Sequence, residues 1–177
     1  MANSIEKTLS PSLLEDCNKE KIVFLSTFNS EKNAPVTNAI SWLVALDDKT
    51  IRFAVDQRSA IISNIEEVEG VSLSLFSNET VYSISGNAKI LTKQMPGIPL
   101  KLACIEVEVN EVKNILFYGS KITVEPEYAK TYDERAAKKL DVAVLSGLRS
   151  NWALNIKKYS KVERISYNIL TVRPFFD

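Results

Sequence analysis

Four consecutive residues, Asp56-Gln57-Arg58-Ser59, carry the best placed chemistry in this chain of 177 residues. They follow an apolar run, Thr50 to Val55, and precede Ala60, Ile61, Ile65 and Val68, which fall on one helical face. A strand therefore feeds a helix at this point. The first turn of a helix leaves backbone N–H groups unpaired, and a guanidinium and a hydroxyl beside them suit an anion such as a phosphate. The same residues have plainer readings, with Arg58 pairing with Asp56 or Glu66 and Ser59 serving as an N-cap.

Little other reactive chemistry is offered. There is no histidine, which removes Ser-His-Asp and Cys-His pairs, His-rich zinc sites and a histidine ligand for haem. Cys17 and Cys104 show no metal-ligand spacing and read as two structural thiols. No residue stands out as a catalytic acid or base, and no metal site is expected; an enzyme built on this chain would rely on a bound cofactor. Lys plus Arg and Asp plus Glu number 22 each, so no global field draws in nucleic acid. The first twenty residues hold no apolar run of signal-peptide length and no other run spans a bilayer, so a cytoplasmic protein off the membrane is expected.

The elements that must position Arg58 and Ser59 are mostly strands. Hydrophobic residues at 45% and charged residues at 25% are globular proportions, and no linker-like stretch divides the chain. Ser10-Pro11 opens a short helix to about Asn18. Lys21 to Phe28 is a strand, followed by the turn Asn29–Asn33 and a long strand from Val36 to Leu46 with apolar residues on both faces, hence buried on both. Its small residues Thr37, Ala39 and Ser41 leave room for something flat. Asp47-Asp48-Lys49 turns the chain into the Thr50 to Val55 strand, and the helix near Arg58 runs to Gly70.

Val71 to Phe76 and Val81 to Leu91 alternate as strands around the turn Asn78-Glu79-Thr80, and Gly86 marks a bulge, a bend or a close approach. Lys93 to Pro99 is a loop. Leu102 to Val109 and Ile115 to Tyr118 are further strands. Glu125-Pro126 opens a helix with Tyr128, Tyr132, Ala136, Leu140 and Val144 at intervals of four, packed inward and ending at Gly147. Val162 to Val172 is a last strand, and Trp152 reads as a packing residue. The sum is a mainly β (α+β) fold: a split β-barrel of about seven or eight mostly antiparallel strands with flanking helices.

The ordered set LSTF, AP-VTNAISWLV, DDKTIRFAV, DQRSAIISNI, VSLSLF and YSISGNAKIL resembles the pyridoxamine 5′-phosphate oxidase-like flavin proteins, the FMN-binding split β-barrels. The likeness runs from about Ser10 to Glu111. It implies that residues 1–177 form one FMN-binding domain, with the helix at about 126–147 and the C-terminal segment as family-variable additions. It further implies a homodimer with FMN at the interface. The flavin ring and ribityl chain would run along Asn38, Ala39, Ile40 and Ser41, and the phosphate would sit between Val55 and Ile61, held by Arg58 and Ser59.

Two departures bear on function. The oxidases have arginine at the position of Asn38, and their phosphate-binding Ser-Arg-Lys stands here as Ser59-Ala60-Ile61. The final third also lacks the Trp and Arg spacing of the true oxidase. These departures weigh against pyridoxamine phosphate as substrate. The resemblance then implies an FMN-dependent oxidoreductase acting on another small-molecule substrate or electron donor. The alternative is a non-catalytic split-barrel dimer that binds or senses a ligand after losing flavin chemistry.

Overall fold

The structure, a computed structural model, describes residues 5–150; the strand expected over Val162 to Val172 and Trp152 lie outside the described residues. Eight strands and three helices follow in the order β1 (Ile5–Glu6), α1 (Pro11–Cys17), β2 (Val23–Asn29), β3 (Ala34–Ile40), β4 (Leu43–Ala45), β5 (Thr50–Asp56), α2 (Ala60–Glu67), β6 (Gly70–Ser77), β7 (Thr80–Thr92), β8 (Leu102–Asn114) and α3 (Glu134–Arg149). All the strands join one sheet, paired antiparallel in the order β3-β2-β6-β7-β8-β5-β4, with β1 added to β8. The two ends of that order, β3 and β4, are joined in sequence by Ser41 and Trp42 alone. A flat sheet could not satisfy so short a joint, so the sheet curls until its edges meet: a split β-barrel.

That closure corrects the long strand expected over Val36 to Leu46. Its first part pairs with β2 and its second with β5, at opposite ends of the sheet, and the chain leaves strand geometry between them. It is not buried on both faces either. Thr37, Asn38 and Ala39 are exposed on the edge strand β3, while Leu43, Val44 and Ala45 are buried.

Apolar alternation fills the barrel. Leu25, Ile51, Phe53, Leu73, Ile84, Ile105 and Val107 are fully enclosed there. Each such side chain contributes roughly 1.5–3 kcal/mol relative to exposure. Gly86 serves as both bulge and close approach: the β7–β8 register shifts between Ser85 and Gly86, and a Cβ would collide with the Glu108 carbonyl oxygen and lie 2.7 Å from Val107 Cγ1. The β6–β7 turn uses Asn78 and Glu79 at φ 52° and 58°, the left-handed geometry that matches strand twist.

A second core lies outside the barrel, where α3 covers the outer face of β4, β5 and β8 through Val144, Leu148, Val44, Ala54 and Cys104. This explains why β5 is buried on both faces. It also buries Arg52, which the alternation of β5 aims outward under the helix. Arg52 meets Glu106 (Nη2 to Oε2, 2.8 Å) and donates from Nη1 to the carbonyls of Leu148 and Ser150, both at 3.1 Å. The guanidinium thereby satisfies carbonyls at the C-terminal end of α3.

Several boundaries differ from expectation. The last helix does not start at Glu125-Pro126. Glu125 instead takes an ion pair from Lys21 at 2.6 Å, residues 121–133 are irregular, and α3 begins after Asp133, whose side chain accepts from Ala136 N–H at 2.8 Å. Tyr128 and Tyr132 are consequently exposed by 38% and 50%, not core. Gly147 lies inside α3, which runs on to Arg149; its missing side chain makes room for Met95, whose Cε would be 2.8 Å from a Cβ there. Ile115 to Tyr118 is loop, and β8 instead continues to Asn114. Gly70 opens β6, since α2 is already closed by Val68. Cys17 and Cys104 are buried free thiols, pushed up to about 12 by burial first of all.

Candidate functional site

The joint between β3 and β4 borders a cavity of about 500 Å³. Asn38, Ala39, Ile40, Ser41 and Trp42 form one wall, and Ala54, Val55 and Asp56 another. Ser59 and Ile61 come from the start of α2, and Ile22 and Tyr128 complete the lining. A volume of this size suits a cofactor or a small molecule. The nominated residues Asn38, Ala39, Ile40, Ser41, Val55, Ser59 and Ile61 are thus brought together.

β3 contributes more than side chains. It stands at the end of the sheet with β2 on one side only, so alternate N–H and C=O groups point away from β2. At the other wall, Ser59 is the N-cap of α2, its Oγ accepting from Ile61 N–H at 3.3 Å. Ser59 and Ile61 at the start of α2 therefore border the cavity, with the Ile61 N–H accepted by Ser59 Oγ and the Ile62 N–H by the Ser59 carbonyl at 3.0 Å.

Arg58 is the exception among the nominated residues. It does not line the cavity; its side chain is 83% exposed and engaged with Asp56, Nε to Oδ1 at 3.0 Å and Nη2 to Oδ2 at 2.9 Å. Asp56 also accepts from Arg58 N–H at 2.8 Å. The Arg58 side-chain hydrogen bond, and then its backbone N–H, hold the Asp56 carboxyl down to about 2. Asp56 itself is in the cavity lining, so the approach to α2 carries a carboxylate and its counter-cation together. Among the described residues no Lys or Arg lines this cavity.

Two aromatic residues in the lining depend on long-range contacts. The Trp42 indole N–H donates to Asp141 Oδ1 on α3 at 2.8 Å, and the ring packs against the outer core, so it is a lining residue and a packing residue at once. Tyr128, from the irregular segment before α3, donates to Glu20 Oε1 at 2.9 Å and interacts with Ser41 through its side chain. Lys130 joins the two systems, pairing with Asp141 and with Glu20, the latter at 2.9 Å. Burial works against its charge, but the hydrogen bonds it donates to both carboxylates hold the Lys130 ammonium above its ordinary range.

Sequence reasoning missed Tyr128 as a lining residue because its spacing of four from Tyr132 mimics a helix. The Asp133-Glu134 pair, an N-cap followed by first-turn acid, was the signal for a later helix start. Nothing local distinguishes Ile22 or Ala54 as lining residues.

The curled sheet, with a ligand-sized cavity at the joint of its edge strands, defines a split β-barrel. Residues 9–96 match the pyridoxamine 5′-phosphate oxidase family, and the chain belongs to the pyridoxamine 5′-phosphate oxidase-like proteins. No curated protein matches the sequence. Among solved structures, a Lactobacillus delbrueckii protein assigned as a pyridoxamine 5′-phosphate oxidase is similar over 63% of this chain and 98% of that one, with 14% identity and a TM-score of 0.52. HupZ of Group A Streptococcus is similar over 66% of this chain and 100% of its own, with 16% identity and a TM-score of 0.51. An F420 reductase is similar over 59% and 98%, with 14% identity and a TM-score of 0.50. At these identities the likeness is one of fold. No helix among the described residues is long and apolar enough to cross a membrane.

Proposed function

We propose that this protein binds FMN in the cavity beside Ser41 and Trp42 and acts as a cytoplasmic, homodimeric oxidoreductase on a small-molecule substrate. The observation that carries this reading is the convergence of an edge strand, Asn38 to Ile40, and the start of α2, Ser59 to Ile61, on one cavity of about 500 Å³. The residues fit the group in kind. The open edge of β3 offers backbone donors and acceptors to a flat polar ring, the small side chains of Ala39 and Ala54 leave space, and Ser59 with the first amides of α2 suits a phosphate. Bound there, the flavin would supply hydride-transfer chemistry between a reduced substrate or nicotinamide donor and an electron acceptor.

The chain's own work is then to bind and orient. Ser59 caps α2 and sets its start at the corner, where its hydroxyl would turn to the phosphate, and Val55 and Ile61 would exclude water from the apolar side. Arg58 supplies charge there only when it is released from Asp56. Exposed Thr37, Asn38 and Ala39, with Phe24 38% exposed on the neighbouring strand, leave the β3 side open for a second copy.

One observation favours the other reading, a split barrel that binds or senses a ligand without flavin chemistry. Arg58, the cation beside the start of α2, is bound to Asp56, and among the described residues an aspartate, not a lysine or arginine, lines the cavity. The visible absorption spectrum of the purified protein, taken before and after FMN addition and gel filtration, separates the two. Retained flavin absorbance with a dimer-sized elution volume is expected. A protein that stays colourless and never retains FMN overturns the flavin reading in favour of the second.

A further inference from the structure

The wall of the cavity formed by Tyr128 belongs to neither the barrel nor a regular helix. It comes from the irregular stretch between β8 and α3, outside the matched residues 9–96. Such a stretch should wander, yet this one is tied at defined points. Lys130 pairs with Glu20, just ahead of β2 in the chain, and with Asp141 on α3. Glu125 pairs with Lys21 at 2.6 Å. Tyr128 lies between these anchors, its hydroxyl donating to Glu20 at 2.9 Å and interacting with Ser41, the residue that joins the barrel's two edges.

Asp141 does double duty, because the carboxylate that holds Lys130 also accepts the Trp42 indole N–H at 2.8 Å. The two aromatic rings of the cavity, Trp42 and Tyr128, are therefore oriented through one shared acid on α3. Lys130 is 19% exposed and Asp141 14%. At that exposure, water and salt screen the pair less than they would on the open surface.

We infer that Tyr128 is a ligand-contacting residue, held over the cavity as an aromatic wall for a flat heteroaromatic ring, and that Lys130 is its positioning residue. This rests on the flavin reading and assigns the ring-binding role within it. The chemistry is that of a planar ring against aromatic faces, which contributes through stacking geometry beyond simple burial. A phenol whose hydroxyl is already fixed by Glu20 presents its ring in one orientation, so little rotamer freedom is lost when the ligand arrives.

The test is FMN titration of the full chain, followed by flavin fluorescence and by equilibrium gel filtration, with Tyr128→Ala, Tyr128→Phe and Lys130→Met beside the wild type and thermal melts of each without FMN. Tyr128→Ala should weaken FMN binding by about tenfold and raise the fluorescence of whatever flavin stays bound, since a quenching ring is gone. Tyr128→Phe should keep the quenching and lose only about threefold in affinity. Lys130→Met, which leaves the lining intact, should weaken binding in the same direction while the apo melting curve moves little. If the wild type binds FMN and Tyr128→Ala binds it equally with unchanged fluorescence, the assignment of Tyr128 is overturned and the flavin reading stands. If the wild type binds no FMN, the flavin reading fails and this assignment fails with it.

Discussion

Arg58 grips the carboxylate of Asp56 at two points, Nε to Oδ1 at 3.0 Å and Nη2 to Oδ2 at 2.9 Å, on the last turn of chain before Ser59 caps α2. The Arg58 guanidinium at the start of α2 is therefore partnered before any ligand arrives. Both side chains are largely in solvent, so the pair is a weak lock.

Asp56→Asn should release Arg58 and remove a negative charge from the cavity lining, tightening FMN binding by about threefold, while Arg58→Ala should weaken it by about tenfold. Fluorescence titration of FMN against each variant checks both. Equal affinities in the wild type and both variants would mean that Arg58 takes no part in holding the phosphate.

The same pair sets a pH dependence. Asp56 is held down to about 2, below its unfolded value, so it binds a proton less readily in the folded state. Its contribution to stability is complete above roughly pH 4 and disappears as pH falls through the folded value. Carboxyl chemical shifts should show Asp56 titrating near pH 2 in the wild type. In Arg58→Ala its midpoint should rise toward the ordinary carboxylate range, held somewhat below it by the backbone N–H that alanine retains.

Gly86→Ala should destabilise the fold by about 3 kcal/mol, because the added methyl collides with the Glu108 carbonyl on the adjacent strand, which cannot move without breaking the β7–β8 pairing. Urea denaturation provides the measurement. A loss under about 0.5 kcal/mol would show that the bulge relaxes around the methyl.

Glu106→Gln should cost about 3 kcal/mol, since it leaves Arg52 enclosed under α3 without its counter-ion. Burial pushes the Glu106 carboxyl up, but hydrogen bonds from Lys89 and Arg52 outweigh it and hold the group below its ordinary value, so the stability it adds is lost on acidification. Amide exchange should report faster opening of α3 near Leu148, whose carbonyl Arg52 holds. Unchanged exchange there would show that apolar packing alone secures the helix.

Most strands were legible because alternation and turn chemistry are local. The Asn78-Glu79 turn, the β6–β7 pair around it and the Ser59 cap of α2 all fall where the residue types put them. The break at Ser41 and Trp42 was not legible. VTNAISWLV has strand-forming residues throughout, and the interruption arises only because its halves pair with β2 and β5 at opposite ends of the sheet. The start of α3 was masked by a tyrosine spacing that imitates a helix, in a segment held instead by the ion pairs of Lys21 and Lys130.

The sequence by itself determined most of the strand pattern and the strand-to-helix junction capped by Ser59, since periodicity, capping and turn preference act over a few neighbours. Tertiary structure alone decided that Asn38 and Ser59 share a cavity, that Arg58 turns to Asp56, and that Tyr128 closes one wall. Those outcomes depend on charges and surfaces brought together across the barrel from positions such as Glu20 and Asp141, a separation over which local propensity carries no information.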